Sequence, residues 1–348
     1  MNGLRAALFM DLLSVIDIGS NTIHLLVGEV KGGTVRPVRS ELIAARLGEG
    51  LDRTGRIDEH RFAIAIETTA LMTLIAASEG SPAPAIVATS AVRDALNGAA
   101  LIDAVRDRTG LPTRILSGHE EGRLGFRGAF AAGGIPTPER ALVIDLGGGS
   151  AQLSIGTPGR DPEEIISLPI GTGRLIGRFL PHDPPSQEEL QILRRELAGM
   201  LSKLPTAAGA SVVAIGGSAR ALRSFSNETL TVARLQTMAS EFSRQRSSTL
   251  AQQWGLNPAR ARALPAAAVI LWAVLDHAGF PSLDVSPTGL REGVLLEARR
   301  TEDGGRRTGD GGRGMEDGGR GTEDGGRGTE DRVYLDPRRR VSRPQRPV

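Results

Sequence analysis

Two stretches of this chain share one construction. Val15-Ile16-Asp17-Ile18-Gly19-Ser20-Asn21 is an apolar run, a carboxylate, then small residues, and Val143-Ile144-Asp145-Leu146-Gly147-Gly148-Gly149 repeats that order. The likeness continues past the turns, Leu25 matching Leu153 and Gly28 matching Gly156. A buried strand ending in an acid and a small-residue turn lets backbone N–H groups approach phosphate oxygens. The Asp at the strand end is placed to hold a metal or a water. Two copies predict two similar halves facing one ligand, a duplicated α/β protein that handles phosphate in the cleft between them.

The element pattern agrees. Leu13 to Asp17, His24 to Val30 and Val35 to Ile43 read as three strands, Asp58 to Ser78 as a helix, and Ala85 to Ala88 as a strand. A helix follows at Ala99 to Arg108, stopped by Gly110, then a strand at Thr113 to Leu116 and a helix opened by Ser117. The order restarts with strands at Ala141 to Asp145, Ala151 to Ile155 and Glu164 to Leu168. Gln187 to Leu204 is a helix, Ser211 to Ile215 a strand leading into the turn Gly216-Gly217-Ser218, and Pro265 to Ala278 an apolar helix. A strand at Leu283 to Val285 and a helix at Leu290 to Arg299 close the second half. The domains expected are 13–132 and 133–299, after an extension of residues 1–12. Residues 300–348 carry the unit Thr-Glu-Asp-Gly-Gly-Arg-Gly, clean at Thr322 to Gly328. No position in that unit is regularly apolar and paired glycines disfavour a helix, so a disordered tail is expected.

Composition excludes several chemistries. With no Cys there is no disulfide, thiolate metal site or Cys nucleophile. Five scattered His do not suggest zinc, and no glycine turn carries a P-loop lysine. Aromatics at 3% are too few for base-stacking platforms, and a net charge of +2 does not signal nucleic acid, so no specific nucleic-acid partner is expected. Lys31 and Lys203 are the only lysines, leaving Arg as the cation available to grip phosphate. No run reaches the ~20 apolar residues of a membrane span. The apolar start from Met1 to Ser14 is interrupted by Asp11 and lacks a small-residue cleavage site. No membrane association and a cytoplasmic location are therefore expected. A homodimer is compatible with the sequence, which does not specify one.

Five motifs together resemble the exopolyphosphatase and guanosine pentaphosphate phosphatase family. They are Ile16 to His24, Ala88-Thr89-Ser90-Ala91-Val92-Arg93, Ser117-Gly118-His119-Glu120-Glu121-Gly122-Arg123, Ile144 to Ser150, and Leu290-Arg291-Glu292-Gly293-Val294-Leu295. The likeness spans about Leu13 to Glu297. It implies duplicated ribonuclease H-like domains of the actin-like ATPase superfamily, mixed sheets flanked by helices, with the active site in the interdomain cleft. It also implies magnesium-dependent release of terminal phosphate from inorganic polyphosphate, or of the 5′-phosphate from guanosine pentaphosphate.

The same residues can be judged by their chemistry. Hydrolysing a phosphoanhydride needs a cation on the oxygens, an oriented water and a base. Asp17 and Asp145 offer hard oxygen ligands for Mg²⁺, while Ser20, Asn21, Gly147, Gly148, Gly149 and Ser150 offer N–H and hydroxyl donors. Ser117 and Glu120 have capping-box spacing, so Glu120 is expected to cap its helix. Glu121, about 100° further round, is left to face the cleft. The resemblance places the catalytic base at this second Glu. Arg93, at a strand-end turn, is a candidate phosphate clamp. His24 and His119 are read as packed or surface residues.

Two positions depart from the family pattern. Gln152 stands where the family usually has a metal-proximal Glu, and the turn at Gly216 is looser than usual. They keep two alternatives open: a weak or inactive regulator that binds polyphosphate or an alarmone, and a kinase of the same superfamily.

Overall fold

The computed structural model describes residues 12–309 apart from 82, 134–136, 203, 205–206, 208 and 227–228, with side chains of the last helix described as far as Asp303. The expected N-terminal extension apart from Leu12, which belongs to the first strand, and most of the repeat tail lie outside the described residues.

The first lobe opens with three strands, β1 (Leu12–Ile18), β2 (Ile23–Lys31) and β3 (Thr34–Ile43). Then come α1 (Leu51–Thr54), α2 (Glu59–Ser78), β4 (Ala85–Ala88), α3 (Ser90–Asp94), α4 (Gly98–Thr109), β5 (Thr113–Ile115) and α5 (Gly118–Gly128). The second lobe restarts with β6 (Ala141–Leu146), β7 (Ala151–Gly156) and β8 (Glu164–Leu168), then α6 (Thr172–Phe179) and α7 (Gln187–Met200). It continues with β9 (Ser211–Ile215), α8 (Gly217–Ser224), β10 (Leu230–Thr231), α9 (Val232–Phe242), α10 (Ser247–Trp254) and α11 (Pro258–Ala278). β11 (Ser282–Val285) and α12 (Leu290–Gly309) complete the described chain.

The duplication is explicit in the sheets. One has the order β3-β2-β1-β4-β5, the other β10-β11-β9-β6-β7-β8. In each, an antiparallel three-strand meander is extended by parallel strands, β4 beside β1 and β9 beside β6. Register repeats too: Asp17 pairs with His24 and Asp145 with Gln152, while Leu13 faces Gly28 and Ala141 faces Gly156. Val15, Ile16 and Ile18 of β1 are buried, as are Leu142, Val143 and Ile144 of β6. Each such side chain contributes about 1.5–3 kcal/mol by leaving water. The sheets therefore hold the two strand-end carboxylates on stiff supports.

Helix ends mostly follow their cap residues. Asp58 accepts from the N–H groups of His60 and Arg61 to open α2, and Gly110 ends α4 in the left-handed conformation. α11 starts seven residues before the predicted Pro265. Asn257 caps it and Pro258 occupies the first turn, where a missing N–H is harmless, and Pro265 is carried inside. α12 runs on to Gly309, past the expected end at Arg299. By length and composition both α2 and α11 reach the size of a membrane span, which the sequence scan did not register. α11 is mostly buried as the central helix of the second lobe, and α2 packs on β1 and β2.

Candidate active site

The two acid–glycine turns have the same local geometry. The Gly19 N–H donates to the Thr22 carbonyl at 3.0 Å, and the Gly147 N–H to the Ser150 carbonyl at 3.1 Å. A Cβ on Gly19 or Gly147 would meet those same carbonyls at 2.9 and 3.0 Å, so each turn is too tight for a side chain. Asp17 and Asp145 precede the turns and line one cleft with Glu121, Gln152, Arg220, Arg260 and Arg291.

Burial shifts both aspartates toward protonation. For Asp17 burial outweighs the attraction of Arg291, whose Nη1 lies 3.5 Å from its Oδ2. Asp145 is pushed up to about 6, by burial first and by the charge of Asp17 second. The Asp17 Oδ1 and the Arg291 Nε are buried without hydrogen-bond partners. An unpaired buried carboxylate oxygen beside a second acid is where a cation would fit. Among the described residues no group of three or more His, Asp or Glu could hold a metal, and the acids beside Glu121 in the cleft are Asp17 and Asp145. Two protein carboxylates fit Mg²⁺, which keeps several of its waters.

Glu121 is placed by its helix. The Ser117 Oγ accepts from the Glu120 N–H at 3.1 Å and the Glu120 Oε2 accepts from the Ser117 N–H at 2.9 Å, the expected capping box. Glu120 is further held by Arg114 at 2.8 Å. Glu121 instead turns into the cleft and is 4% exposed. Its carboxyl is raised to about 7, by burial first, against the pull of Arg93, with Asp145 and Asp17 adding to the rise. A carboxyl that titrates near neutrality suits a general base.

The position of α5 depends on its glycines. A Cβ on Gly118 would meet the Ser167 Oγ at 2.3 Å, on Gly122 the Ile165 Cγ2 at 2.4 Å, and on Gly125 the Asp145 Oδ2 at 3.2 Å. These residues, at helical spacing, form a face without side chains that lets α5 lie against β7 and β8 of the other lobe. On α12, a Cβ at Gly293 would sit 1.9 Å from the Leu124 carbonyl oxygen. The Arg-Glu-Gly motif thus owes its glycine to the approach of α12 to α5. Neither packing role was visible in the sequence.

Other expected site residues fall differently. The guanidinium of Arg93 is engaged by the carboxylate of Glu121 and by the Leu116 carbonyl, so Arg93 positions Glu121 rather than lining the cleft. Gly148 and Gly149 pack on the other lobe: a Cβ on Gly148 would meet the Asn21 Nδ2 at 2.6 Å, and one on Gly149 the Ser90 Oγ at 2.5 Å and the Ser20 Oγ at 2.7 Å. Gly147, Gly148, Ser20 and Asn21 line the cleft, whereas Gly149 and Ser150 do not. The Ser150 Oγ accepts from the Gln152 Nε2 at 2.9 Å, and the Ser167 Oγ does so at 3.1 Å.

The cleft's cations were missed. Arg220, Arg260 and Arg291 come from α8, α11 and α12, and the charge of Arg291 opposes protonation of both others. Burial is the larger cause that lowers the pKa of Arg220 and Arg260, with Arg291 second. All three disfavour a charged His24, whose pKa is lowered to about 3, burial being the first cause. Like charges gathered in a partly buried cleft provide a field for an anion. Arg291 lay inside a motif and Arg220 after a glycine turn, but no local signal marked Arg260.

Comparison with known proteins agrees with this architecture. The Ppx/GppA phosphatase family matches residues 26–302. Exopolyphosphatase 1 of Mycobacterium leprae is 33% identical over 316 residues, covering 84% of this chain and 91% of the relative. Exopolyphosphatase 2 of Mycobacterium tuberculosis is 35% identical over 200 residues, 53% of this chain and 59% of the relative. The crystal structure of the Aquifex aeolicus member of the Ppx/GppA family superposes with a TM-score of 0.71 at 27% identity, covering 84% of this chain and 98% of that one. An exopolyphosphatase from Cytophaga hutchinsonii gives 0.73 at 25% identity, covering 82% and 98%.

Proposed function

Because the chain belongs to the Ppx/GppA phosphatase family, we propose that it is an exopolyphosphatase, releasing terminal orthophosphate from inorganic polyphosphate with Glu121 as general base. The observation that carries this reading is the buried Glu121 carboxyl sharing one interlobe cleft with two more acids and three arginines. A kinase would use such a base on an acceptor hydroxyl instead of water, so dependence of phosphate release on an acceptor separates the two.

In this reading the terminal phosphoryl enters the cleft, where Arg220, Arg260 and Arg291 offset its charge. Glu121 takes the proton of the attacking water as the new P–O bond forms in line with the leaving bridge oxygen. The anhydride bond breaks, orthophosphate departs, and the chain leaves one unit shorter. Arg93 holds the Glu121 carboxylate in place through this step. Asp17 and Asp145 would hold Mg²⁺, which when bound would neutralise phosphate oxygens. Guanosine pentaphosphate offers a similar terminal anhydride and is the comparison substrate.

The test is phosphate release with Mg²⁺ from short polyphosphate, long polyphosphate and guanosine pentaphosphate, beside Glu121→Gln. Release by the parent and a loss of about 10²–10⁴-fold in the variant is expected. Equal turnover by the two proteins would remove Glu121 from the mechanism. Binding without release by the parent would instead support the regulator, with the uncharged Gln152 as the residue to revert. In the same samples Mg²⁺ is expected to raise the melting temperature of the parent and not of Asp145→Asn.

A further inference from the structure

A second cavity, of about 350 Å³, lies in the same seam between the lobes. It shares Ser20, Asn21, Gly148, Ala259 and Ala263 with the cleft that holds Glu121, so the two stand on either side of the contact between the glycine turns. Arg46, Arg174 and Arg262 line it, from three separate segments, together with the carboxylates Glu49 and Asp52.

The three arginines are in different states. Arg174 is fully occupied: its Nη1 donates to Asp52 at 2.8 Å, its Nη2 to Asp94, and its Nε to the Gly149 carbonyl at 2.8 Å. Arg262 is not. Its Nη2 donates to the Leu180 carbonyl, its Nη1 is buried without a partner, and no carboxylate among the described residues pairs with it. Leaving a buried charged donor unsatisfied is unfavourable, and an anion would remove that penalty.

Arg46 is the one described non-glycine residue with positive φ, at 52°. That conformation costs an arginine roughly 1–2 kcal/mol, and such strain gathers where a side chain is held for a purpose. Its N–H donates to the Asn21 carbonyl at 2.9 Å, which ties this loop to the first acid–glycine turn. Among the described residues its side chain has one ion pair, with Glu49 at 4.0 Å, and Glu49 is held more closely by Arg61 at 2.9 Å. Arg46, on a strained backbone, and Arg262, with one donor unsatisfied, therefore both line a cavity next to the reaction cleft, and planar guanidinium forks match phosphate oxygens.

We propose that this cavity is a second phosphate subsite, in which Arg46 and Arg262 hold a phosphate group remote from the anhydride being cleaved. The inference rests on the hydrolase reading: the cleft with Glu121 takes the chain terminus, and this cavity takes phosphates further along the same chain. Free orthophosphate has the same chemistry and is the other source to distinguish.

The test is calorimetric binding of long polyphosphate, tripolyphosphate and orthophosphate to the hydrolysis-deficient Glu121→Gln protein, alone and combined with Arg46→Gly or Arg262→Gln. Glycine accepts φ near 52° without strain, so Arg46→Gly should melt no lower than its parent and report on the guanidinium alone. Each added substitution is expected to weaken long-chain binding about tenfold and tripolyphosphate binding less than about twofold, as for loss of one charge-assisted contact. A loss falling equally on orthophosphate assigns the subsite to free phosphate. Unchanged affinity for all three overturns the subsite while leaving the hydrolase reading intact. A Glu121→Gln protein that binds no phosphate compound, from a parent that releases no phosphate, overturns the hydrolase reading itself.

Discussion

Glu121→Gln should make the fold more stable at alkaline pH. The Glu121 carboxyl rises from 4.5 to about 7 on folding because burial and two nearby acids disfavour its charge more than Arg93 favours it. The folded state therefore binds this proton more tightly than the unfolded state. Its contribution is fully present below pH 4.5, declines as pH rises through 7, and is absent above it. At about 1.36 kcal/mol per pH unit of difference, the parent gives up about 3 kcal/mol by pH 8 relative to a neutral side chain of the same shape. Glutamine is such a side chain, and its amide oxygen can still accept from Arg93. Urea unfolding of parent and variant should give stabilities within about 1 kcal/mol at pH 5 and a variant more stable by about 3 kcal/mol at pH 8. Equal stabilities at pH 8, or a less stable variant, would refute the claim that Glu121 is a buried base carrying a cost in stability.

The same carboxyl should give kcat/KM an acidic limb near pH 7, and Arg93→Gln should move that limb up by about 1–3 pH units, since it removes the cation that favours ionisation in the free enzyme. A limb that stays in place would show that Arg93 does not act through Glu121. Gly293→Ala would put a methyl 1.9 Å from the Leu124 carbonyl oxygen, and a loss of about 3 kcal/mol in chemical denaturation is expected. Stability equal to the parent would mean that α12 does not approach α5 this closely.

Much of the fold could be read from local pattern because its signals are local. An apolar run with one acid and a glycine turn specifies a strand end in both halves, and Ser117 with Glu120 specifies the start of α5 and hence which way Glu121 points. Some local signals were passed over: Asn257 and Pro258 had already begun α11, which carries Pro265 inside it, and Arg93, expected at a strand-end turn, stands in the short helix Ser90–Asp94. The glycines of the second turn were expected as open donors for phosphate, and Gly148 and Gly149 have a further reason to be small, because Asn21, Ser20 and Ser90 of the other lobe lie against them.

What the sequence determined by itself was the duplication, the class of architecture and the acids Asp17, Asp145 and Glu121, because each is marked by spacing within a few residues of chain. The tertiary structure alone decided that Arg220, Arg260 and Arg291 would share a cleft, that Arg93 would be taken up by Glu121, and that Arg46 and Arg262 would face a second cavity. Those residues are brought together only when the two lobes close on each other. The electrostatic consequences, an acid titrating near 7 among them, follow from burial and from neighbours distant in sequence, which no local pattern encodes.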